Sequence, residues 1–268
     1  MNGALALLIA LVSYGNEYLK NGVSVHTLDL NNSTLIYSNT IEFSINNHPA
    51  LKRTVVAKNP KEWFAFLKKD GCKKLKIFFY QSGDESKMKD FESAGFVGGG
   101  GEWIIEADYD TYANYWGHKQ MVTKPVAKDK RIWNEQFLLI KAKQPALSLP
   151  ISEATAKKNL SVALNKIIAF ATKTGSDYWA GIFTKANNSL SSDHPVVEYY
   201  RDFIVENQHS LQSKQLLSSA SRAYVFGGMG SWNDILYSTS ELEKTNTQLS
   251  SELYDRINEA IIVALNNN

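Results

Sequence analysis

The spacing of apolar positions changes once along the chain. Before residue 147, short alternating or continuous apolar runs are separated by turns rich in asparagine and glycine, a pattern typical of strands joined by hairpins. From residue 147 onward, apolar residues recur every three or four positions, as in amphipathic helices. The pattern predicts an α+β fold: an N-terminal mixed, mainly antiparallel sheet with helices over 1–146, then a C-terminal all-α helical bundle domain over 147–268. The predicted boundary is the proline-framed connector 144–150.

The first apolar run, residues 4–12, continues with helical spacing to Leu19 and meets a stop signal at Asn21 and Gly22. No basic residue precedes the run and no clear cleavage site follows it, so the run is unlike a secretory signal. At nine residues it is also too short to cross a bilayer. We expect one helix with a broad apolar face, a cytoplasmic location and no membrane contact.

The rest of the first half predicts one longer helix and several strands. The helix is expected over 61–69, because Asn59 and Pro60 form a favourable N-terminus. The run 75–80 is almost continuously apolar, which predicts a central strand covered on both faces. The other expected strands are 23–30, 34–37, 41–45, 103–107 and 136–141.

Four consecutive glycines occupy positions 98–101, between strand-like residues at 96–97 and 103–107. They follow a short polar helix that is expected to begin at 82–84 and to end at Gly95. A phosphate-binding loop would need such glycines before a helix, with a Lys-Ser/Thr pair behind them. Because strand-like residues follow instead, we interpret 98–101 as a wide hairpin loop.

The second half predicts five helices in a compact bundle. Ser152 and Ser210 are expected N-caps, Gly175 is an expected stop, and 238–241 has the sequence of a capping box. A third helix is expected to begin at 193–195, with these residues facing inward: Val196, Val197, Tyr200, Phe203 and Ile204.

The most unusual stretch is the glycine-rich joint, residues 224–234, where three glycines lie within four positions between aromatic residues. In one hypothesis it is a ligand site whose backbone N–H groups bind an anion or nucleotide at a helix start, beside an aromatic stacking surface and an acidic contact. The residues of that site would be Gly228, Gly230, Ser231, Trp232 and Asp234.

The alternative hypothesis treats the glycine-rich joint as purely structural. Gly227 or Gly228 would close the preceding helix, and Ser231 or Asn233 would cap the next turn. The side chains that would then fill the bundle core are Phe226, Met229 and Trp232. This hypothesis is favoured, because a tryptophan carries a large apolar area that is costly to leave in solvent.

Residues 108–118 form a second cluster with chemical potential. Asp108, Asp110 and His118 lie among aromatic residues that include Tyr112 and Trp116, so they could line a catalytic site for a small or carbohydrate-like substrate. The 98–101 loop would serve that site as a lid. Alternating aromatic residues also pack sheets, and acidic pairs are common in solvated turns, so packing is the favoured interpretation.

Other residue types narrow the classes of function. Cys72 is the only cysteine, which excludes an internal disulfide or a cysteine-rich zinc site and suits a reducing compartment. Its lysine-rich surroundings could activate the thiol, but an ordinary turn cysteine is favoured. The five histidines have no metal-ligand spacing and no nucleotide-binding or catalytic motif is present, so neither metal nor cofactor is expected. A net charge of +2 is too small to indicate a nucleic-acid partner.

Three functions are therefore carried forward. The first is a non-enzymatic interaction protein of bacterial type that binds a protein partner, with an immunity-like or accessory role by analogy of architecture. The second is an enzyme using the 108–118 cluster, and the third is an anion- or nucleotide-binding regulator using the glycine-rich joint. Self-association through the bundle is left open.

Overall fold

The computed structural model describes residues 1–22, 27–46, 53–81, 89–94, 99–122, 129–227 and 229–267. The α-helices in these ranges are α1 (Gly3–Asn21), α2 (Pro60–Lys69), α3 (Asp90–Ser93), α4 (Glu153–Lys173), α5 (Asp177–Ser189), α6 (Leu211–Ala223) and α7 (Ser240–Asn266). The strands are β1 (Ser38–Ile45), β2 (Thr54–Ala57), β3 (Lys74–Tyr80), β4 (Glu102–Asp108), β5 (Ala113–Val122) and β6 (Trp133–Gln144). Two short 3₁₀ helices cover Glu206–Gln208 and Trp232–Asp234.

These strands form one sheet in the order β2-β1-β6-β5-β4-β3. β1 and β6 are parallel, whereas the other neighbouring strands are antiparallel. The strands come before α4, and the described chain beyond residue 152 is helical or irregular. The predicted α+β class is confirmed, with a mixed, mainly antiparallel sheet followed by a helical region.

Helix α1 lies at the centre of the fold. Residues 5–15 are all buried, because the helix is apolar on every side and contacts β3, β4, α2 and α7. Asn2 caps its start by accepting a hydrogen bond from the Leu5 N–H (2.9 Å), and Gly22 ends it with a φ of +79°. The predicted helix and its stop are confirmed. Across the described ranges, no helix is both long and apolar enough to span a membrane.

Helix α2 covers one face of the sheet with aromatic side chains. The Trp63 ring stacks on Phe43 of β1 at 4.4 Å between centroids and meets Trp116 of β5 edge-on at 5.5 Å. Phe137 of β6 also stacks on Phe43, at 4.8 Å between centroids. The predicted helix start is also confirmed, since the Asn59 side chain accepts a hydrogen bond from the Glu62 N–H.

Strand β3 is an edge strand, so the prediction of a central strand over 75–80 is wrong. Two asparagine side chains occupy the edge where a neighbouring strand would bind. Asn16 of α1 accepts from the Leu75 N–H (2.7 Å) and donates to the Leu75 carbonyl (2.9 Å). Asn266 of α7 pairs in the same way with the N–H and the carbonyl of Ile77, both at 2.9 Å. Because helices supply these partners, the strand is apolar and buried without a second neighbour.

Replacing Asn266 with alanine is expected to lower the free energy of unfolding by about 1–3 kcal/mol, because it leaves two part-buried backbone groups of β3 unpaired. Urea unfolding followed by circular dichroism measures the loss. Asn267→Ala is the matched control, since this neighbouring amide donates to the Ile151 carbonyl at an exposed position. Equal stability of the two variants would show that the strand edge does not depend on Asn266.

The two halves of the chain share one apolar core. Helix α7 packs against β3, and the Tyr14 hydroxyl of α1 donates to the carbonyl of Asp202 in the second half (2.8 Å). The irregular connector between β6 and α4 contains residues 145–150 of the proposed boundary, and Gln144 ends β6. The division into domains 1–146 and 147–268 stays a prediction.

Two expected strands in the first half are turns or irregular chain. Residues 34–37 form consecutive turns rather than a strand, so that prediction is wrong. The reason is local: the Asn32 side-chain oxygen accepts from the N–H (3.0 Å) and the hydroxyl (2.7 Å) of Thr34, which stabilises the turn. Residues 27–30 of the expected strand 23–30 are also not extended sheet, and 23–26 lie outside the described residues.

The predicted third helix of the bundle is wrong. Residues 191–209, called the strap below, are irregular apart from one 3₁₀ turn, although Phe203 and Val205 are buried. Side chains of other elements satisfy the strap's backbone in place of helical hydrogen bonds: Gln215 binds the Ser192 carbonyl and Ser218 binds the Val196 carbonyl. The other bundle helices begin near the predicted caps Ser152, Ser210 and 238–241.

Candidate functional site

The three candidate catalytic side chains, Asp108, Asp110 and His118, lie at separate places. His118 stacks on Phe137, on the face of the sheet that α2 covers. Asp108 contacts Lys76, whose strand neighbour Phe78 belongs to the apolar cluster on the opposite face. Asp110 sits at the exposed tip of the β4–β5 turn with a φ of +69°. The structure does not gather them in one pocket, so the enzyme hypothesis lacks a shared site.

Asp108 belongs to a small part-buried ion-pair group. The Lys76 ammonium lies 2.5 Å from Asp108 and 3.2 Å from Glu106, which is fully buried. The second Glu106 oxygen accepts from the Leu147 N–H (2.7 Å). Burial raises the pKa of Asp108, but the bonds from Lys76 and the Asp110 N–H outweigh it, so the pKa lies below its ordinary value. This group ties the start of the connector to the sheet.

His118 also has a structural arrangement. Its Nε2 lies 2.7 Å from the Glu135 carboxylate, which is 2% exposed. The other Glu135 oxygen accepts from the Ser38 hydroxyl and from the Gln120 amide, both at 3.0 Å. Three donors from β1 and β5 thus satisfy one buried carboxylate of β6, as a polar group inside a sheet requires.

The described part of the glycine loop is packed rather than open. The Gly100 N–H donates to the Ser93 hydroxyl (2.9 Å), and the Gly100 carbonyl accepts from the buried Tyr254 hydroxyl (2.6 Å). A Cβ on Gly99 would lie 2.1 Å from the Ser93 carbonyl oxygen, so the glycine is needed for close approach. Residues 95–98 lie outside the described residues, and the lid role stays a prediction.

Trp232 anchors the glycine-rich joint inside the bundle. Its side chain is fully buried, its ring meets Trp179 and Phe183 edge-on, and its Nε1 donates to the Ser250 hydroxyl (2.8 Å). Ser231 caps the 3₁₀ turn that follows, as predicted. Helix α6 ends at Ala223, and Gly227 is not in a left-handed conformation. The prediction that Gly227 ends this helix is therefore wrong. Met229 is fully exposed, so its predicted core position is also wrong.

The backbone N–H groups proposed for anion binding already have an acceptor. The Asp234 carboxylate accepts from the N–H of Gly230 (2.5 Å) and of Ser231 (3.1 Å). Buried Trp232 offers no face for stacking, and Gly228 lies outside the described residues. Anion binding at this joint stays a prediction, and an incoming anion would compete with Asp234 for the same donors.

Exposed apolar side chains surround this anchored joint at one end of the bundle. We call residues 174–179 and 229–237 the bundle-end surface. The two segments touch where Trp179 meets Trp232. Leu236 is 90% exposed and Tyr178 is 73% exposed, and Met229 is fully accessible. Sequence reasoning singled out the joint but missed Tyr178 and Leu236, because apolar spacing alone does not tell which apolar residues near the helix ends remain exposed.

The cavities offer less chemistry. A groove of about 610 Å³ runs along the solvent side of α7 and is lined by mixed charges, among them Lys244, Glu252 and Asp255. A smaller cleft of about 120 Å³ lies between β3, the connector and the end of α7.

Within the described ranges, no group of three or more His, Cys, Asp or Glu side chains could hold a metal. Burial raises the pKa of the Cys72 thiol to about 12, which disfavours its reactive thiolate.

Comparisons of this chain with protein-family models, with curated proteins and with solved structures found no match. Function is therefore argued from the surface and the sites of the chain itself.

Proposed function

We propose that this chain is a non-enzymatic binding protein whose protein partner docks on the bundle-end surface. The observation that carries the proposal is the full exposure of Met229 and the 90% exposure of Leu236 on a loop held firmly in place. Exposed apolar side chains that cluster on a folded protein mark interaction sites more often than scattered ones do. An immunity-like or accessory protein would belong to this class, by analogy of architecture.

The loop is preorganised for binding. Trp232 fixes its centre, and the Asp234 carboxylate closes the turn by holding two backbone N–H groups. The Asn233 amide adds a bond to the Phe91 carbonyl (2.9 Å), which joins the loop to α3. A loop ordered before binding loses little conformational entropy when the partner arrives, so more of the contact energy appears as affinity.

The chemistry of the bundle-end surface indicates what the partner presents. Tyrosine, tryptophan and methionine are the residue types enriched in the centres of protein interfaces. The charged residues in its two segments, Asp177 and Asp234, are both acidic and exposed. A complementary partner would offer an apolar cleft for Met229 and Leu236, with basic side chains at its rim.

The double variant Met229→Ser with Leu236→Ser is expected to lose the partner and to keep its stability within about 0.5 kcal/mol, because both side chains are exposed. Val162→Ser is the matched control, since Val162 is 45% exposed on α4, outside the bundle-end surface. Immobilised wild-type and variant chains are compared in quantitative capture from the source cell. A photo-crosslinking residue placed at 229 or at 162 then identifies which surface the captured protein touches.

The expected result is one stoichiometric adduct from position 229 that is absent from position 162, and loss of the same protein from capture by the double variant. Equal capture by all three chains would overturn the proposal. Sedimentation of the purified wild-type chain separates the two classes of partner: a dimer abolished by the double variant would assign the surface to a second copy of this chain.

We also propose a cytoplasmic location, supported by the use of a single cysteine.

A further inference from the structure

The two faces of the sheet differ in how far they are covered. Phe43, Trp116 and Phe137 pack under α2 and are buried. Side chains alternate along a strand, so the residues beside these three point to the opposite face. We call that face of β1, β5 and β6 the open face, and its residues are Glu42, Ser44, Gly117, Lys119, Gln136, Leu138 and Ile140. All of them except Gly117 are exposed or part-exposed to solvent.

An apolar ridge runs along β6 on the open face. Ile140 is 44% exposed, and Leu138 is part-exposed two positions earlier. A Cβ on Gly117 would lie 3.1 Å from Ile140 Cγ2, so the isoleucine lies over the backbone of β5. Ser44 and Gly117 pair with Leu138 from either side. Because these flanking residues are small, a second sheet can approach the ridge closely, at the roughly 10 Å typical of stacked sheets.

Two opposite charges flank the ridge in one row of the sheet. Gln136 of β6 pairs in register with Glu42 of β1 and with Lys119 of β5. Each charged residue is therefore one strand spacing, about 4.8 Å, from β6, and the two lie on opposite sides of it. A two-fold axis laid along β6 exchanges these two positions.

This arrangement matches a second copy of the chain better than a partner of a single charge. In a two-fold interface each contact occurs twice, because both copies use the same patch. With the axis along β6, Glu42 of one copy faces Lys119 of the other on both sides of the axis, and the two ridges meet at the axis. A purely acidic or purely basic partner would attract one of these side chains and repel the other.

We propose that two copies of this chain associate through their open faces, about a two-fold axis that runs along β6. The proposal is independent of the bundle-end surface, which belongs to the helical half of the chain and stays available to its partner. The patch spans three strands and is partly polar. The association therefore belongs to the small, weak class of interfaces, which form at micromolar or higher protein concentrations.

Sedimentation equilibrium of the wild-type chain, from about 1 µM to about 1 mM, measures this association, and a monomer–dimer equilibrium is expected. Glu42→Lys and Lys119→Glu each place like charges at both contacts, so each is expected to raise the dissociation constant at least about tenfold. In an equimolar mixture of the two variants, the heterodimer regains opposite charges at both contacts. The mixture is therefore expected to dimerise about as tightly as the wild-type chain.

Lys158→Glu is the matched control, because it reverses an exposed charge on α4 and should leave the dissociation constant unchanged. The double variant Met229→Ser with Leu236→Ser should also dimerise like the wild-type chain, which separates this interface from the bundle-end surface. A wild-type chain that stays monomeric at about 1 mM would overturn the proposal. A mixture that dimerises no more tightly than either charge variant alone would do the same.

A second measurement needs no variant, so it does not depend on how the variants fold. A carbodiimide condenses a carboxylate and an amine in contact to an amide with loss of water, so wild-type dimers should yield a Glu42–Lys119 link. Mass spectrometry of mixed isotope-labelled and unlabelled chains shows whether the link joins two copies. Links between copies that never include this pair would refute the open-face assignment.

Discussion

Replacing Trp232 with alanine is expected to lower the free energy of unfolding by about 3–5 kcal/mol, the range for removing a buried tryptophan from a packed core. The loss has two sources. The ring fills the space between Trp179 and Phe183, and its Nε1 is the donor to the buried Ser250 hydroxyl. For a chain of this size the melting temperature should fall by roughly 10 °C.

Chemical denaturation and calorimetry measure the Trp232→Ala effect, and Ser250→Ala isolates the part due to the hydrogen bond. That control is expected to cost about 1 kcal/mol, because it leaves the Trp232 Nε1 donor unpaired and removes the long bond from Ser250 to the Asn246 oxygen. A Trp232→Ala variant with unchanged melting temperature but lost ligand binding would reverse our assignment of the indole as a packing anchor. It would instead favour a binding role for the glycine-rich joint.

Lys76→Met is expected to cost about 3–5 kcal/mol, because it leaves the fully buried Glu106 carboxylate without its cation and removes the bond from Lys76 to Asp108. Equilibrium unfolding in urea at pH 7 measures the loss. Lys119→Met on β5 is the matched control, since this lysine is exposed and should change stability by no more than about 0.5 kcal/mol.

Adding Glu106→Gln to Lys76→Met should recover part of the lost stability, because the neutral amide removes a buried charge and can still accept from the Leu147 N–H. A double variant as unstable as Lys76→Met alone would locate the effect in the packing of the lysine stem rather than in charge.

Local signals explain the parts of the fold that sequence predicted well. Asn59, Ser152 and Ser210 each accept a hydrogen bond from a backbone N–H of the helix they begin, as their residue types indicated. Gly22 and Gly175 follow helices with positive φ angles, as glycines at such stops do. These features depend on a few neighbouring residues, so the sequence carries them directly.

Non-local contacts explain the failures. The strap has the apolar spacing of a helix, yet donors from Gln215 and Ser218 and the contacts with α1 favour an irregular path. Strand β3 has the apolar run of a central strand, but Asn266, far along the chain, occupies its edge. No pattern within either segment reveals a partner that comes from another element.

The candidate catalytic residues do not lie together in one site, for a related reason. Asp108 and His118 are close in sequence but face opposite sides of the sheet. They belong to two strands, β4 and β5, that a turn over residues 109–112 joins, so the period of either strand alone does not tell whether both residues lie on one face. The hydrogen bond between Ser13 and His209 joins residues 196 positions apart and also has no local signature.

The asparagine edge of β3 has a consequence for refolding. Asn16 lies 59 positions and Asn266 lies 189 positions from the strand residues they bind, so closure of this edge requires long-range contacts. Until those contacts form, the apolar strand presents free backbone groups that can pair with the same strand of another molecule. The yield of refolding should therefore fall as protein concentration rises, and more steeply for Asn266→Ala than for the wild-type chain.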